Sequence, residues 1–386
     1  MSKVLCPKRG GCRQSTTGSP RNRLQRNSDP SCDPIWTWPA PEFGHITSPP
    51  SISQDGTIYI GTYAYTAPQG YALTAINPDG TKKWVFPTDS TDYDFTPSTV
   101  ASDGIIYYTA GSKLYAINPN GIQKWVFTSP NVLINTSALG QDGTIYTGSS
   151  GGLFYALNSA DGTIKWTSSS VCEGSSPAIA HDGSIYVSGC NNNLHALDSN
   201  GNLKWTFFVN AWESTPPTID ADGTIYAGGW ERLYAINPDG TQKWIAPIQG
   251  FTSGTAIASD GMLYVATDIH EGKLYAINPD GTQKWIFSPS KQPNWFSHPA
   301  VGADGTIYVG GYDKFYAINP DGTEKWTYGQ GFWSLNSAMI IVWATAGVAW
   351  MERSLRSVIQ VLPGRNDDHG LKFTSLNCRW DANSSK

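Results

Sequence analysis

A Lys-Trp pair recurs seven times along the chain at nearly constant spacing, and this fixes what the chain can fold into. The tryptophans are Trp84, Trp125, Trp166, Trp205, Trp244, Trp285 and Trp326, spaced by 41, 41, 39, 39, 41 and 41 residues. Each follows a lysine: Lys83, Lys124, Lys165, Lys204, Lys243, Lys284 and Lys325. Ahead of each pair stands a variant of one hairpin, seen clearly in Leu274-Tyr275-Ala276-Ile277-Asn278-Pro279-Asp280-Gly281-Thr282-Gln283-Lys284-Trp285. Residues 274–278 read as a strand and 283–287 as the returning strand. Between them, Asn, Pro, Asp and Gly each match their position in a tight turn, with Gly tolerating the positive φ that closes it.

A second turn precedes each hairpin, at Asp55-Gly56, Asp103-Gly104, Asp142-Gly143, Asp182-Gly183, Asp222-Gly223, Asp260-Gly261 and Asp304-Gly305. The unit is therefore four short strands in about 40 residues, for example 176–180, 184–188, 194–198 and 203–207. That period predicts an all-β β-propeller built from four-stranded antiparallel blades. Its middle strands, such as Thr306-Ile307-Tyr308-Val309 and Phe315-Tyr316-Ala317-Ile318, are apolar on both faces, as strands covered by neighbouring blades require. The recurring indole is expected to wedge between adjacent blades. The lysine beside it is expected to blunt the outermost strand against edge pairing.

Seven full repeats span residues 47–328. Ile35-Trp36-Thr37-Trp38 resembles a fourth strand without its first three. Pairing this strand with segments between about 334 and 362 predicts a closing blade and eight blades in all, within a domain of residues 35–362. The runner-up is seven blades, with 35–38 as an extra outer strand. Residues 1–34 carry Lys3, Lys8, Arg9, Arg13, Arg21, Arg23 and Arg26 with no acidic residue before Asp29. They are expected to be a disordered or misassigned tail with no visible signal peptide, and residues 363–386 a disordered C-terminal tail. The apolar run 339–351 is short for a membrane span. With 26 basic against 31 acidic side chains and a net charge of −5, the composition does not favour nucleic acid.

The repeats, typified by Leu-Tyr-Ala-Ile-Asn-Pro-Asp-Gly-Thr-Gln-Lys-Trp, resemble the PQQ-like, or quinoprotein alcohol dehydrogenase-like, β-propeller family over roughly residues 35–338. The resemblance implies a fold shared by quinone-dependent dehydrogenases, by BamB-like envelope assembly factors and by secreted binding propellers. For a dehydrogenase it further implies pyrroloquinoline quinone, calcium, a catalytic carboxylate and a disulfide between adjacent cysteines. No adjacent cysteine pair is present, and no motif places the carboxylate or the calcium ligands. The expectation is therefore a non-catalytic scaffold without catalytic residues, metal or cofactor. Quinone and calcium chemistry is the disfavoured alternative, and a periplasmic, cell-surface or secreted location is implied by the resemblance.

A ligand site is expected where the copies differ, in the connectors joining each outer strand to the next inner strand. There Tyr93, Asp94, Trp212, Glu213, Trp295, His298 and Trp333 are the candidates for meeting a protein or a glycan. Phe95, Phe251 and Phe296 either join that surface or plug the channel mouth. The protein is expected to act as a monomer. Cys172 and Cys190 flank the turn at His181-Asp182 almost symmetrically, which allows a cross-strand disulfide or two buried thiols.

Overall fold

The computed structural model describes residues 33–39, 45–64, 70–90, 96–133, 136–171, 175–189, 191–210, 215–268, 272–289, 296–311, 314–328, 340–341, 357–363 and 371–377. Its architecture is an all-β propeller of antiparallel blades. In the fourth repeat the strands run Ala178–Ile179, Ile185–Ser188, Asn193–Leu197 and Leu203–Phe208, each hydrogen-bonded to the next in sequence order.

The blade count departs from both eight and seven. Across residues 45–328 the seven repeats make six sheets. Repeats five and six share one six-stranded sheet because two strands run through the expected breaks, Ile225–Ile236 and Gln242–Ile257. The connector between these repeats stays extended. Phe251 pairs with Trp230 on one side and with Asp268 on the other, so backbone hydrogen bonding carries across the boundary. The first repeat gains a fifth strand from His45–Ile46, which pairs with Tyr63 and Thr62.

The two ends of the chain form a further four-stranded sheet, in the order Asp33–Pro39, Leu371–Asn377, Ser357–Pro363 and Ile340–Ile341. Leu371–Asn377 lies beyond residue 362, inside the segment expected to be a disordered tail, and pairs along its whole length with Ser357–Pro363. The register of Asp33–Pro39 shifts between Pro34 and Trp36. A shift falls at the same place in the repeats, one residue before the tryptophan, for instance where Ala235 faces Trp244 and Ile236 faces Gln242. Asp33–Pro39 therefore occupies the outermost position of its sheet and runs in the same sense as the outer strands of the repeats.

Both turns of a repeat have one design. In the first repeat the Gly80 amide donates to the Asn77 carbonyl at 2.9 Å and the Asn77 amide to the Thr81 carbonyl at 2.8 Å. Gly80 sits at φ 85°, a left-handed conformation costly to side chains with a Cβ. The Asp79 carboxylate accepts the Thr81 amide and hydroxyl at 2.9 and 2.6 Å. The Asp55-Gly56 turn repeats the pattern, and its glycine lies against Pro78 of the hairpin turn. Both turns therefore lie at one end of the blade and define a turn face. The connectors lie at the opposite end.

Adjacent repeats are locked across that turn face. Trp84 Nε1–H donates to the Pro119 carbonyl at 2.9 Å, and Trp125 does the same to Ser159, Trp166 to Ser199, Trp205 to Pro238, Trp244 to Pro279 and Trp285 to Pro320. Each acceptor belongs to the hairpin turn of the next repeat. The glycine of that turn lies flat on the indole, close enough that a Cβ on Gly240 would stand 2.7 Å from Trp205 Cδ2. Inside each blade the same indole leans on the tyrosine of the second strand, as Trp205 does on Tyr186 at 5.6 Å.

The lysines differ from the edge-blunting expectation. Lys83, Lys165, Lys243 and Lys325 turn back to the first turn of their own blade and pair with Asp55, Asp142, Asp222 and Asp304 at 3.0–3.3 Å. Each also donates to the hydroxyl two residues beyond that aspartate. Where Met262 replaces this threonine, Lys284 reaches the thioether instead. The core lies between blades and is built from the second and third strands. Leu73, Leu114, Leu157, Leu194, Leu233 and Leu274 are fully or nearly fully buried, each burial contributing about 1.5–3 kcal/mol.

Candidate binding face

The connector face and the mouth of the channel are where the repeats stop being alike. A hydroxyl seven residues before the first-turn aspartate ties the connector to the second strand. Gly61 N–H donates to Ser48 Oγ at 2.8 Å, Ser188 N–H to Ser175 Oγ at 3.2 Å and Gly310 N–H to Ser297 Oγ at 3.0 Å, while the Thr96 hydroxyl donates to the Thr109 carbonyl. This recurring Ser/Thr was visible in the sequence only by its distance from the Asp-Gly turn.

Around the axis, the inner strands are stitched from blade to blade by hydroxyls. Ser51 bonds to Ser98, Thr99 to the Ser137 carbonyl, the Thr136 amide to Ser176 Oγ at 3.2 Å and Thr218 to the Thr255 carbonyl at 3.2 Å. The channel lining is thus hydroxylated and uncharged at these positions. His298 is exposed, yet its ring lies on Gly254 of the preceding inner strand, and the surrounding protein pushes its pKa below the ordinary imidazole value. The lowered pKa favours its neutral form.

Of the residues expected to bind, His298 alone is among those described. Tyr93, Asp94, Trp212, Glu213, Trp295 and Trp333 lie outside the described residues, as do Phe95 and the pair Cys172 and Cys190. The remaining phenylalanines separate. Phe296 is fully buried against Phe287 and Tyr316, whereas Phe251 packs on Trp230 with ring centroids 4.7 Å apart and planes tilted by 52°.

Sequence reasoning missed the Trp230 half of that pair. Phe208 is 60% exposed and Trp230 43% exposed. The Trp230 amide donates to the Asn210 carbonyl at 3.0 Å and the Val209 amide to the Asn192 carbonyl at 2.9 Å, so the tips of repeats four and five are joined. Among the described residues, the non-glycine positions with positive φ are Asn192, Asn210 and Glu231, at 63°, 49° and 55°. All three lie at these joined tips. Asparagine reaches the left-handed region at small cost; glutamate does so only under constraint. The sequence signal was slight: Gly228-Gly229 precedes Trp230, and glycine marks a close backbone approach. A Cβ on Gly229 would stand 2.1 Å from the Val209 carbonyl oxygen.

Calcium with a quinone needs several convergent carboxylate oxygens and fixed cations. The described channel positions supply hydroxyls and one neutral imidazole, so they do not fit that pair. Among the described residues no three His, Cys, Asp or Glu side chains converge on a metal position.

The family model described as outer membrane protein assembly factor BamB matches residues 131–257 and 270–336, half of the chain. The chain belongs to this PQQ-like, BamB-type propeller family. Its fold is similar to the crystal structure of BamB from Moraxella catarrhalis, with a TM-score of 0.63 and 14% identity over 89% of this chain and 99% of that one. It is similar also to quinohemoprotein alcohol dehydrogenase from Comamonas testosteroni, with a TM-score of 0.67 and 12% identity over 90% of this chain and 76% of that one. At such identities the likeness is one of fold. No curated protein matches by sequence.

Proposed function

We propose that this PQQ-like propeller is a non-catalytic scaffold that holds a protein or a glycan on its connector face, in the cell envelope or outside the cell. The observation that carries the reading is the exposed Trp230 packed on Phe251, at a tip held by left-handed Asn210 and Glu231. Exposed aromatic rings on a constrained backbone bind at low entropic cost, because little remains to be ordered on contact. A BamB-like part in outer-membrane protein assembly is the second reading, supported by the family match and by the likeness to a BamB structure. Among the described residues no helix is long and apolar enough to cross a membrane. A dehydrogenase role has the weakest support, since the described channel lining does not suit calcium and quinone.

The test uses the full chain. Immobilised protein is exposed to outer-membrane polypeptides held unfolded and to a glycan panel, beside the variant Trp230→Ser. Specific binding that the variant loses at an unchanged unfolding midpoint supports the scaffold and shows which partner class it takes. Equal binding by both proteins moves the site off this patch. Calorimetric titration with pyrroloquinoline quinone and calcium is the counter-test, and saturable one-to-one binding would overturn the non-catalytic reading.

A further inference from the structure

The sixth repeat breaks a lysine bridge that most of the other blades share. In five repeats the lysine before the indole donates to a hydroxyl two residues beyond the first-turn aspartate. The acceptors are Thr57, Thr144, Ser184, Thr224 and Thr306, at 2.6–2.9 Å. The sixth repeat carries Met262 at this position, and Lys284 Nζ stands 4.0 Å from its Sδ. Among the described residues that sulfur is the one polar side-chain atom Lys284 reaches, and no ion pair joins the lysine to Asp260.

The second repeat shows what the lysine does when the position offers nothing. Its residue there is Ile105, and Lys124 turns instead to the Ser159 carbonyl of the next hairpin turn at 3.4 Å. Lys284 does not turn away. The thioether, a weak acceptor, holds it where five blades hold an oxygen. Met262 is 5% exposed and packs in the core between repeats six and seven, in one cluster with Tyr264 and Trp285. Lys284 itself is exposed, so Sδ lies directly beneath a solvated ammonium.

We propose that Met262 is an oxidation site whose sulfoxide is bound by Lys284. A lone pair of Sδ attacks one oxygen of a peroxide, and the S–O bond forms as the O–O bond breaks. Sulfur is oxidised by two electrons and the peroxide is reduced by two. With hydrogen peroxide, the departing hydroxide takes the proton of the transferred oxygen and leaves as water. Oxidising a core methionine ordinarily disrupts its surroundings. Here the new oxygen takes the place of the missing hydroxyl, so the blade gains the contact that its siblings already have. Lys284 lies beside one of the two lone pairs of Sδ, and one sulfoxide epimer is therefore formed in excess.

The full chain is treated with hydrogen peroxide beside N-acetylmethionine as an internal standard, then quenched and digested with trypsin. The peptide holding Met262 is weighed by mass spectrometry, and the digest is divided between two reductases that act on opposite sulfoxide epimers. Met1, Met339 and Met351 fall in other peptides. Met262 is expected to gain one oxygen with circular dichroism unchanged. One epimer is expected to exceed the other by about threefold or more, the bias that an exposed charge-assisted hydrogen bond supports. Lys284→Leu removes the donor and keeps the bulk of the stem. Its two epimers are expected near parity, and peroxide should lower its unfolding midpoint more than that of the wild-type protein. Oxidation of the standard without oxidation of Met262 would overturn the proposal. So would equal epimers in the wild-type protein, or the same loss of midpoint in both proteins.

Discussion

Replacing Gly240 with alanine separates the inter-blade lock from the backbone strain that any turn glycine carries. Gly240 and Gly183 close turns of the same hydrogen-bonding pattern at φ 88° and 82°. An alanine at either position pays about 1–2 kcal/mol for the left-handed conformation. What differs is the neighbour. A Cβ at 183 meets only Ser199 Cβ at 3.7 Å, an ordinary contact, whereas one at 240 meets Trp205 Cδ2 and Cγ at 2.7 Å. The indole cannot retreat without losing its 2.9 Å bond to the Pro238 carbonyl and its lean on Tyr186. Overpacking of this kind adds about 1–3 kcal/mol. Gly183→Ala is therefore expected to cost about 1–2 kcal/mol and Gly240→Ala about 2–5 kcal/mol in urea-induced unfolding followed by circular dichroism at unchanged m. In a Trp205→Ala background the excess at 240 should vanish, giving a coupling of about 1–3 kcal/mol. Equal costs for the two glycines, or no coupling to Trp205, would show that the indole is not clamped by the following turn.

His195 is buried where most other repeats carry tyrosine, with Nε2 near Asn191 Oδ1 and Nδ1 near Thr206 Oγ1, both at 3.2 Å. Burial pushes its pKa below the ordinary 6.5, so the unfolded chain takes up the proton first. Stability is then complete above pH 6.5 and declines as pH falls below it; His195→Tyr should flatten the slope of unfolding free energy between pH 7 and 5, and an unchanged slope would refute this. Asp222 is drawn down to about 2 by the Thr224 amide and hydroxyl, with Lys243 adding to the effect. Its contribution is present above pH 3.8 and lost as pH falls toward 2. Asp222→Asn should thus weaken acid sensitivity in that window while costing under about 1 kcal/mol at pH 7, because the ion pair with Lys243 is exposed. Acid unfolding monitored by tryptophan fluorescence measures both.

Most of the fold was legible because its determinants are local. The Asn-Pro-Asp-Gly turn specifies its own geometry through residues four apart, and the spacing of Trp84 to Trp326 reports the period directly. What escaped depends on pairing between distant segments. Whether 247–254 breaks or stays extended is decided by Phe251 finding both Trp230 and Asp268, and no local propensity encodes that choice. Leu371–Asn377 lacks the turn signals of the repeats, so only its partners, Asp33–Pro39 and Ser357–Pro363, reveal it as a strand. The lysines were legible as a pattern but not in their role, since an outer-strand charge and an Asp-Gly turn more than 20 residues away look unrelated until the blade brings them together.

The division of labour between the two faces follows from where the locks sit. Every inter-blade indole bond described is made to a hairpin-turn carbonyl on the turn face, and the bridges of Lys83, Lys165, Lys243 and Lys325 close there too, whereas Lys113–Asp89 lies at the connector end. A change in any of those turns disturbs two blades at once, which explains why the hairpins differ so little along the chain. The connectors are held by a few local bonds and by short inner strands, as at Ser175–Ser188 and Ala178–Ile179. That end of the blades is therefore free to carry exposed rings such as Phe208 and Trp230 without endangering the assembly. The stability cost of those exposed rings is small, because the apolar area they leave in water lies outside the inter-blade core. A scaffold that concentrates cohesion on one face and variation on the other is suited to recognition at the variable face, and the strained Glu231 lies on that side.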